Sequence, residues 1–212
     1  MNFYKLYYFA DPMCGWCYGF QKQIELAESH YPEIPIEIIC GGMVINDFEG
    51  PIGDKGKYIS NAIPRVEELC EVHFGEAFKL QMQEGSLWSG SLKPSIFLNI
   101  VKQFGQKTTI AFFHKIQVAY FKNGLSLNED KTYIPILESL SLDLHEIIKQ
   151  SAAPVWEKRT RAEFEFTTSV GISGFPTMVL ENDEKMMLVS SGFSNFKTIN
   201  NALDSMLLNE AI

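Results

Sequence analysis

The sequence predicts an α/β protein in which a large helical domain interrupts a small sheet domain. Three observations predict it. Strand-like runs lie only near the two ends of the 212-residue chain, at 3–10, 36–40, 177–181 and 186–192. The stretch from about 60 to 150 reads almost entirely as amphipathic helix. A Cys14-x-x-Cys17 pair stands where the first strand-like run gives way to a helix.

Residues 3–10, FYKLYYFA, are rich in Tyr, Phe and Leu and read as a central strand. Asp11-Pro12 ends it, because Pro fixes φ and cannot donate to a ladder. From Cys14 the period is helical, with Phe20, Ile24 and Ala27 on one face and Gln21, Lys22, Glu25 and Glu28 elsewhere. IEIIC, 36–40, is a second strand followed by Gly41-Gly42, which completes a β-α-β unit. Residues 61–82, carrying Ile63, Val66, Leu69, Cys70, Phe74, Phe78 and Leu80, predict helix, as do 94–104 and 108–122. Asn123-Gly124 closes the last of these. Two short helices follow, the second capped near Ser141. A helix over 155–170 ends at Gly171. The strands 177–181 and 186–192 form a hairpin across 182–185, and 195–208 is a final amphipathic helix.

Without its middle, the chain reads β-α-β and then α-β-β-α. That is the order of the thioredoxin fold, with a large α-helical domain inserted after the first βαβ unit. Residues 1–55 and 150–212 are expected to form the discontinuous thioredoxin-like domain, and 56–149 the insertion.

A net charge of −8 without a Lys/Arg cluster argues against nucleic acid and membrane surfaces as partners. No run is long enough to cross a bilayer. The first ten residues lack the apolar core and cleavage site of a signal peptide, so a cytoplasmic protein is expected. Thiols there stay reduced, and a C-x-x-C is then catalytic or metal-binding. A zinc site needs four ligands, usually with a second close pair. Cys40 and Cys70 are not such a pair. Cys70 and His73 have C-x-x-H spacing, but so do core residues one helical turn apart. A redox dithiol without metal or organic cofactor is the better reading. Cys40 reads as a buried small apolar residue, with an accessory redox thiol as its alternative. Phe112, Phe113, Tyr120 and Phe121 read as insertion core.

Several motifs, in order, resemble the DsbA-like thioredoxin superfamily, and within it the cytosolic FrnE-like branch. FADPMCGWCYGF resembles that branch's strand-end signature, and CGGM, 40–43, its Gly-Gly after the second strand. LKPSIFLNIVKQF and KIQVAYFKNGLSLNED resemble segments of its helical insertion. GISGFPTMVL, 171–180, is similar to the segment bearing the cis-proline of thioredoxin-fold enzymes. Gly15-Trp16 stands between the cysteines where periplasmic DsbA proteins have Pro-His.

The resemblance implies a protein disulfide oxidoreductase or isomerase that exchanges disulfides with protein or small thiol substrates. Glutathione is a candidate co-substrate. Cys14, at a helix N-terminus whose N–H groups favour a thiolate, would be the nucleophile, and Cys17, one turn in, the resolving thiol. The resemblance makes Pro176 the cis-proline facing the pair, with Phe175 contacting the substrate backbone. Trp16 is either a substrate platform or a cover for the sulfurs. Asp11 is a candidate proton relay, with an Asp-Pro turn as the plainer reading. The alternatives are a glutathione-dependent transferase or isomerase of the kappa-class type, which uses Ser near the Cys14 position, and a non-redox binding module.

Overall fold

The protein's structure is a computed structural model that describes residues 4–182 and 185–209. The described strands are β1 (Lys5–Ala10), β2 (Ile36–Cys40), the two-residue β3 (Gly50–Pro51) and β4 (Trp88–Ser89), β5 (Thr177–Glu181) and β6 (Met186–Ser191). Helices α1 (Gly15–Gly19) and α2 (Gln21–His30) follow β1. Between β2 and β5 lie α3 (Lys55–Ser60), α4 (Ile63–Cys70), α5 (Glu76–Glu84), α6 (Leu92–Val101), α7 (Gln106–Gln117), α8 (Ile134–Ser139), α9 (Leu144–Ser151) and α10 (Pro154–Ser169). Helix α11 (Phe196–Asn209) comes last.

The main sheet has the order β2-β1-β5-β6. β1 runs parallel to β2 and antiparallel to β5, and β5 is antiparallel to β6. With helices on both faces, this is the thioredoxin fold carrying a helical insertion. The expected start of β1 at Phe3, and the hairpin residues Asp183 and Glu184, lie outside the described residues.

β1 is central because both of its faces are apolar. Leu6, Tyr8 and Ala10 point to the larger core, shared with α2 and the inserted helices. Phe9 points the other way and meets Ile39, Val179 and, from the end of α10, Phe166 and Val170. The outer edge of β2 is closed by side chains, which protects it from stray strand pairing. Gln106 Oε1 accepts from Ile36 N–H at 2.7 Å, and Glu163 Oε2 from Cys40 N–H at 3.1 Å.

The insertion departs from the sequence reading in detail. The run 61–82 is two helices, α4 and α5. Glu71 takes a left-handed conformation (φ 56°), and Glu67 reaches forward to accept from Phe74 N–H at 2.8 Å. Leu69 and Leu80, placed in the apolar pattern, are about half exposed. The run 108–122 ends in a π-helical turn, Val118–Lys122. α9 is capped by Asp143, which accepts from Glu146 N–H at 3.0 Å, and not near Ser141. Phe112, Phe113, Tyr120 and Phe121 are buried. The β3–β4 ladder had no signature in the sequence, because two residues are too few to show a period.

Candidate active site

The site forms where β1 hands over to α1. Asp11-Pro12 turns the chain, and Cys14 caps α1. The Cys14 carbonyl accepts from Tyr18 N–H at 3.0 Å, and its Sγ accepts from Cys17 N–H at 3.2 Å. A helix N-terminus leaves such N–H groups unpaired, and here one is aimed at a sulfur. Both cysteines are buried, Cys14 at 4% exposed and Cys17 at 0%, so Cys14 is the less enclosed of the pair. Burial pushes the Cys17 thiol well up, and its hydrogen bond to Cys14 adds to the effect.

The second wall is the loop before β5. The Phe175–Pro176 peptide is cis. The Phe175 carbonyl faces Cys14 Sγ at 3.6 Å. The Pro176 carbonyl is engaged by Gly192 N–H at 2.8 Å, which ties the loop to the end of β6. The Phe175 ring lies on Gly41, where a Cβ would overlap it. Gly42 has φ +67°, and a Cβ there would lie 2.6 Å from the Phe164 ring. The Gly-Gly pair after β2 therefore makes room for two rings, one from the cis-proline loop and one from α10. Trp16 is half-buried and tilts against Phe193 with ring centroids 6.5 Å apart.

Asp11 is wholly buried and joins three segments. Oδ1 accepts from Met13 N–H at 2.8 Å and from the Ser91 hydroxyl at 2.7 Å, while Oδ2 accepts from Met43 N–H at 2.8 Å. Burial raises its carboxyl, and these hydrogen bonds oppose part of the rise. The insertion is thus knotted to the site through Ser91, at the start of α6.

The structure gathers Cys14, Cys17, Asp11, Phe175 and Pro176 in one place, with Trp16 at its margin. Cys40 lies outside this group, and Cys70 borders it from α4, near enough for Cys14 to act on its thiol. The Cys40 backbone is held by Glu163 and by the Thr167 hydroxyl, which donates to its carbonyl at 3.1 Å. The Cys70 sulfur presses on Gly19 of α1, while His73 turns to Glu67 at 3.1 Å. Among the described residues, no group of three or more His, Cys, Asp or Glu could hold a metal ion. Sequence reasoning passed over Ser91 and Tyr8. Ser91 gave no signal, because its partner is 80 positions away. Tyr8 showed only as one aromatic among several in a strand.

A family model described as thioredoxin matches residues 7–201. The chain belongs to the thioredoxin family. A comparison with curated protein sequences finds no match. Among solved structures, this thioredoxin-family chain is similar to a provisional protein disulfide isomerase from Nitrosomonas europaea. That match has 21% identity and a TM-score of 0.85, covering 97% of this chain and 98% of the other. It is also similar to the cytosolic disulfide reductase DsbM from Pseudomonas aeruginosa, at 20% identity and TM-score 0.77, covering 96% and 98%. The same DsbM has been solved with glutathione. A 2-hydroxychromene-2-carboxylate isomerase matches at 13% identity and TM-score 0.70, covering 98% of each chain. At these identities the likeness is one of fold alone, shared by the disulfide reductase and the isomerase alike.

Proposed function

We propose that the protein is a thiol–disulfide oxidoreductase that works through Cys14 and Cys17. One observation carries the reading: a sulfur at a helix N-terminus, Cys14, faces the Phe175 carbonyl at 3.6 Å, with a fully buried second thiol one turn behind it. Cys14 caps the helix and is the less enclosed of the pair, so Cys14 attacks the substrate disulfide as a thiolate and forms a mixed disulfide. Cys17 then attacks Cys14 Sγ and releases the second substrate sulfur. The loop 174–176 receives the substrate backbone beside Cys14, with Phe175 supplying its carbonyl and its ring bracing the loop on Gly41. Trp16, packed on Phe193, borders the approach.

Substrates are protein or small-molecule disulfides and thiols. Glutathione is the favoured co-substrate, a choice supported by the glutathione-bound DsbM. No metal or organic cofactor takes part in these steps. A reducing cytoplasm suits a dithiol held in this way. Among the described residues, no helix is long and apolar enough to cross a membrane. The Asp11 carboxylate is engaged by donors from three segments, which favours a structural knot over a proton relay. Cysteines at both positions also speak against a transferase or isomerase that only holds a glutathione thiolate, because a dithiol would form mixed disulfides.

The test is a redox titration of the whole protein in glutathione buffers, with thiols counted by alkylation and mass spectrometry. One reversible two-electron couple that links Cys14 to Cys17 is expected. Its position gives the direction of the reaction, since thioredoxin-like and DsbA-like potentials differ by about 150 mV. If no Cys14–Cys17 disulfide forms, the reading fails. The Cys17→Ser variant should accumulate a mixed disulfide at Cys14.

A further inference from the structure

Tyr8 is the aromatic in β1 on which both thiols of the dithiol act electrostatically. Its ring stacks on Phe20 (centroids 5.6 Å apart, interplanar angle 26°) and takes the Phe113 ring edge-on at 6.1 Å. The residue is 1% exposed, and its hydroxyl has no hydrogen-bond partner of ordinary geometry among the described residues. A buried hydroxyl left unmatched is unfavourable, and Phe would fill nearly the same volume without that penalty. The titratable groups that act on the hydroxyl are the thiols of Cys17 and Cys14, and the Phe20 on which the ring stacks donates its N–H to the Cys17 carbonyl at 3.1 Å.

The mismatch disappears when the sulfur changes state. A thiol is a weak acceptor, whereas a thiolate accepts a charge-assisted hydrogen bond. Cys17 must become a thiolate in a place without solvent, since it is 0% exposed. The helix N–H that serves Cys14 is donated by Cys17's own backbone, so it does nothing for the Cys17 sulfur. Asp11 contributes a backbone donor near that sulfur, but its carboxylate opposes the charge. Glu25 and His114 line a small pocket against Tyr8 from α2 and α7, and they pair with each other at 3.1 Å.

We propose that the Tyr8 hydroxyl is the donor that stabilises and aims the Cys17 sulfur in the resolving step. This deepens the exchange reading above and rests on it. In that step the Cys17 thiolate attacks Cys14 Sγ. The Cys14–Cys17 bond forms, and the bond from Cys14 to the substrate sulfur breaks. The substrate leaves as a thiolate with the electron pair of that bond. The Cys17 proton has already passed to a solvent base, and Tyr8 keeps its own. Over both steps the dithiol loses two electrons and the substrate disulfide gains them.

The test uses the full-length reduced protein with dithiobis(nitrobenzoate), whose coloured thiolate is released once when Cys14 attacks and again when Cys17 resolves. In Tyr8→Phe the first release should be unchanged. The second should slow by about tenfold, as expected for a lost hydrogen bond to a charged group, and its pH midpoint should move up. Phe113→Leu loosens the packing on the same ring but keeps the hydroxyl, and should leave that midpoint in place. An unaltered second release in Tyr8→Phe, or an equal shift in Phe113→Leu, overturns the assignment of Tyr8 alone. Loss of the second release in the unaltered protein overturns the exchange reading itself.

Discussion

The Phe175 ring lies on the α-carbon of Gly41, so the residue before the cis-proline is braced by the loop that follows β2. That contact joins two segments 134 residues apart, counted from their positions in the chain. It holds a carbonyl 3.6 Å from the Cys14 sulfur.

Gly41→Ala puts a methyl where the ring sits, and the ring can clear it only by moving the loop. The substitution should cost about 1–3 kcal/mol, as overpacking usually does. It should also slow attack by Cys14. In a Phe175→Leu background the same change should cost less. Denaturant unfolding of the four proteins measures the coupling. Additive effects would mean that ring and glycine do not meet.

Asp11→Asn keeps the shape of the buried knot but swaps one acceptor oxygen for a donor. The Ser91 hydroxyl can rotate to accept, whereas the N–H groups of Met13 and Met43 cannot. One N–H is left facing an amide nitrogen, at a cost of about 1–3 kcal/mol. The pH dependence follows from the raised carboxyl. The native state takes up this proton at a higher pH than the unfolded chain does. The Asp11 contribution therefore increases as pH falls through its folded value toward the ordinary 3.8. Unfolding at neutral and mildly acid pH should show the penalty of Asp11→Asn growing on acidification. A shrinking penalty would mean a depressed carboxyl.

These two sites mark what could be read from the sequence. The strands, the C-x-x-C and the Gly-Phe-Pro-Thr segment are local patterns, each complete within a few residues, and all were legible. So was the presence of Gly41-Gly42. Its reason was not, because Phe164 and Phe175 come from segments more than 120 positions away, and no period in the sequence links them to the glycines. The break at Glu71 was hidden for the opposite cause. The apolar spacing from Ile63 to Phe78 continues through it, while the left-handed turn depends on Glu67 capping Phe74. Tyr8 was visible only as a strand aromatic, since its meaning depends on which face of β1 lies toward Cys17.

The buried Cys17 thiol makes the reduced protein sensitive to alkali. The native state holds that proton at pH values where the unfolded thiol, near 9.0, has lost it. Stability then falls as pH rises above that value, by roughly 1.4 kcal/mol per pH unit for this group. Reduced Cys17→Ala lacks the group and should show a shallower decline. Urea unfolding between neutral pH and the alkaline range compares the two. Parallel curves would mean that the Cys17 thiol is not held protonated by the fold.

The same burial predicts how the four thiols divide in the folded, reduced protein. Cys17 and Cys40 are each 0% exposed, and burial pushes both thiols up. Cys70 is pushed up to about 12, mainly by burial, with nearby Cys14 adding to it. Its sulfur is also hemmed in, because a Cβ on Gly19 would lie only 2.5 Å away. Alkylation needs a thiolate that the reagent can reach. Brief treatment with iodoacetamide at mildly alkaline pH should therefore modify Cys14 alone, and urea should expose all four. Cys14→Ser should take up no label while folded. Rapid native labelling of Cys70 would show α4 opening away from α1, and labelling of Cys17 before Cys14 would reverse the order of attack proposed for the pair.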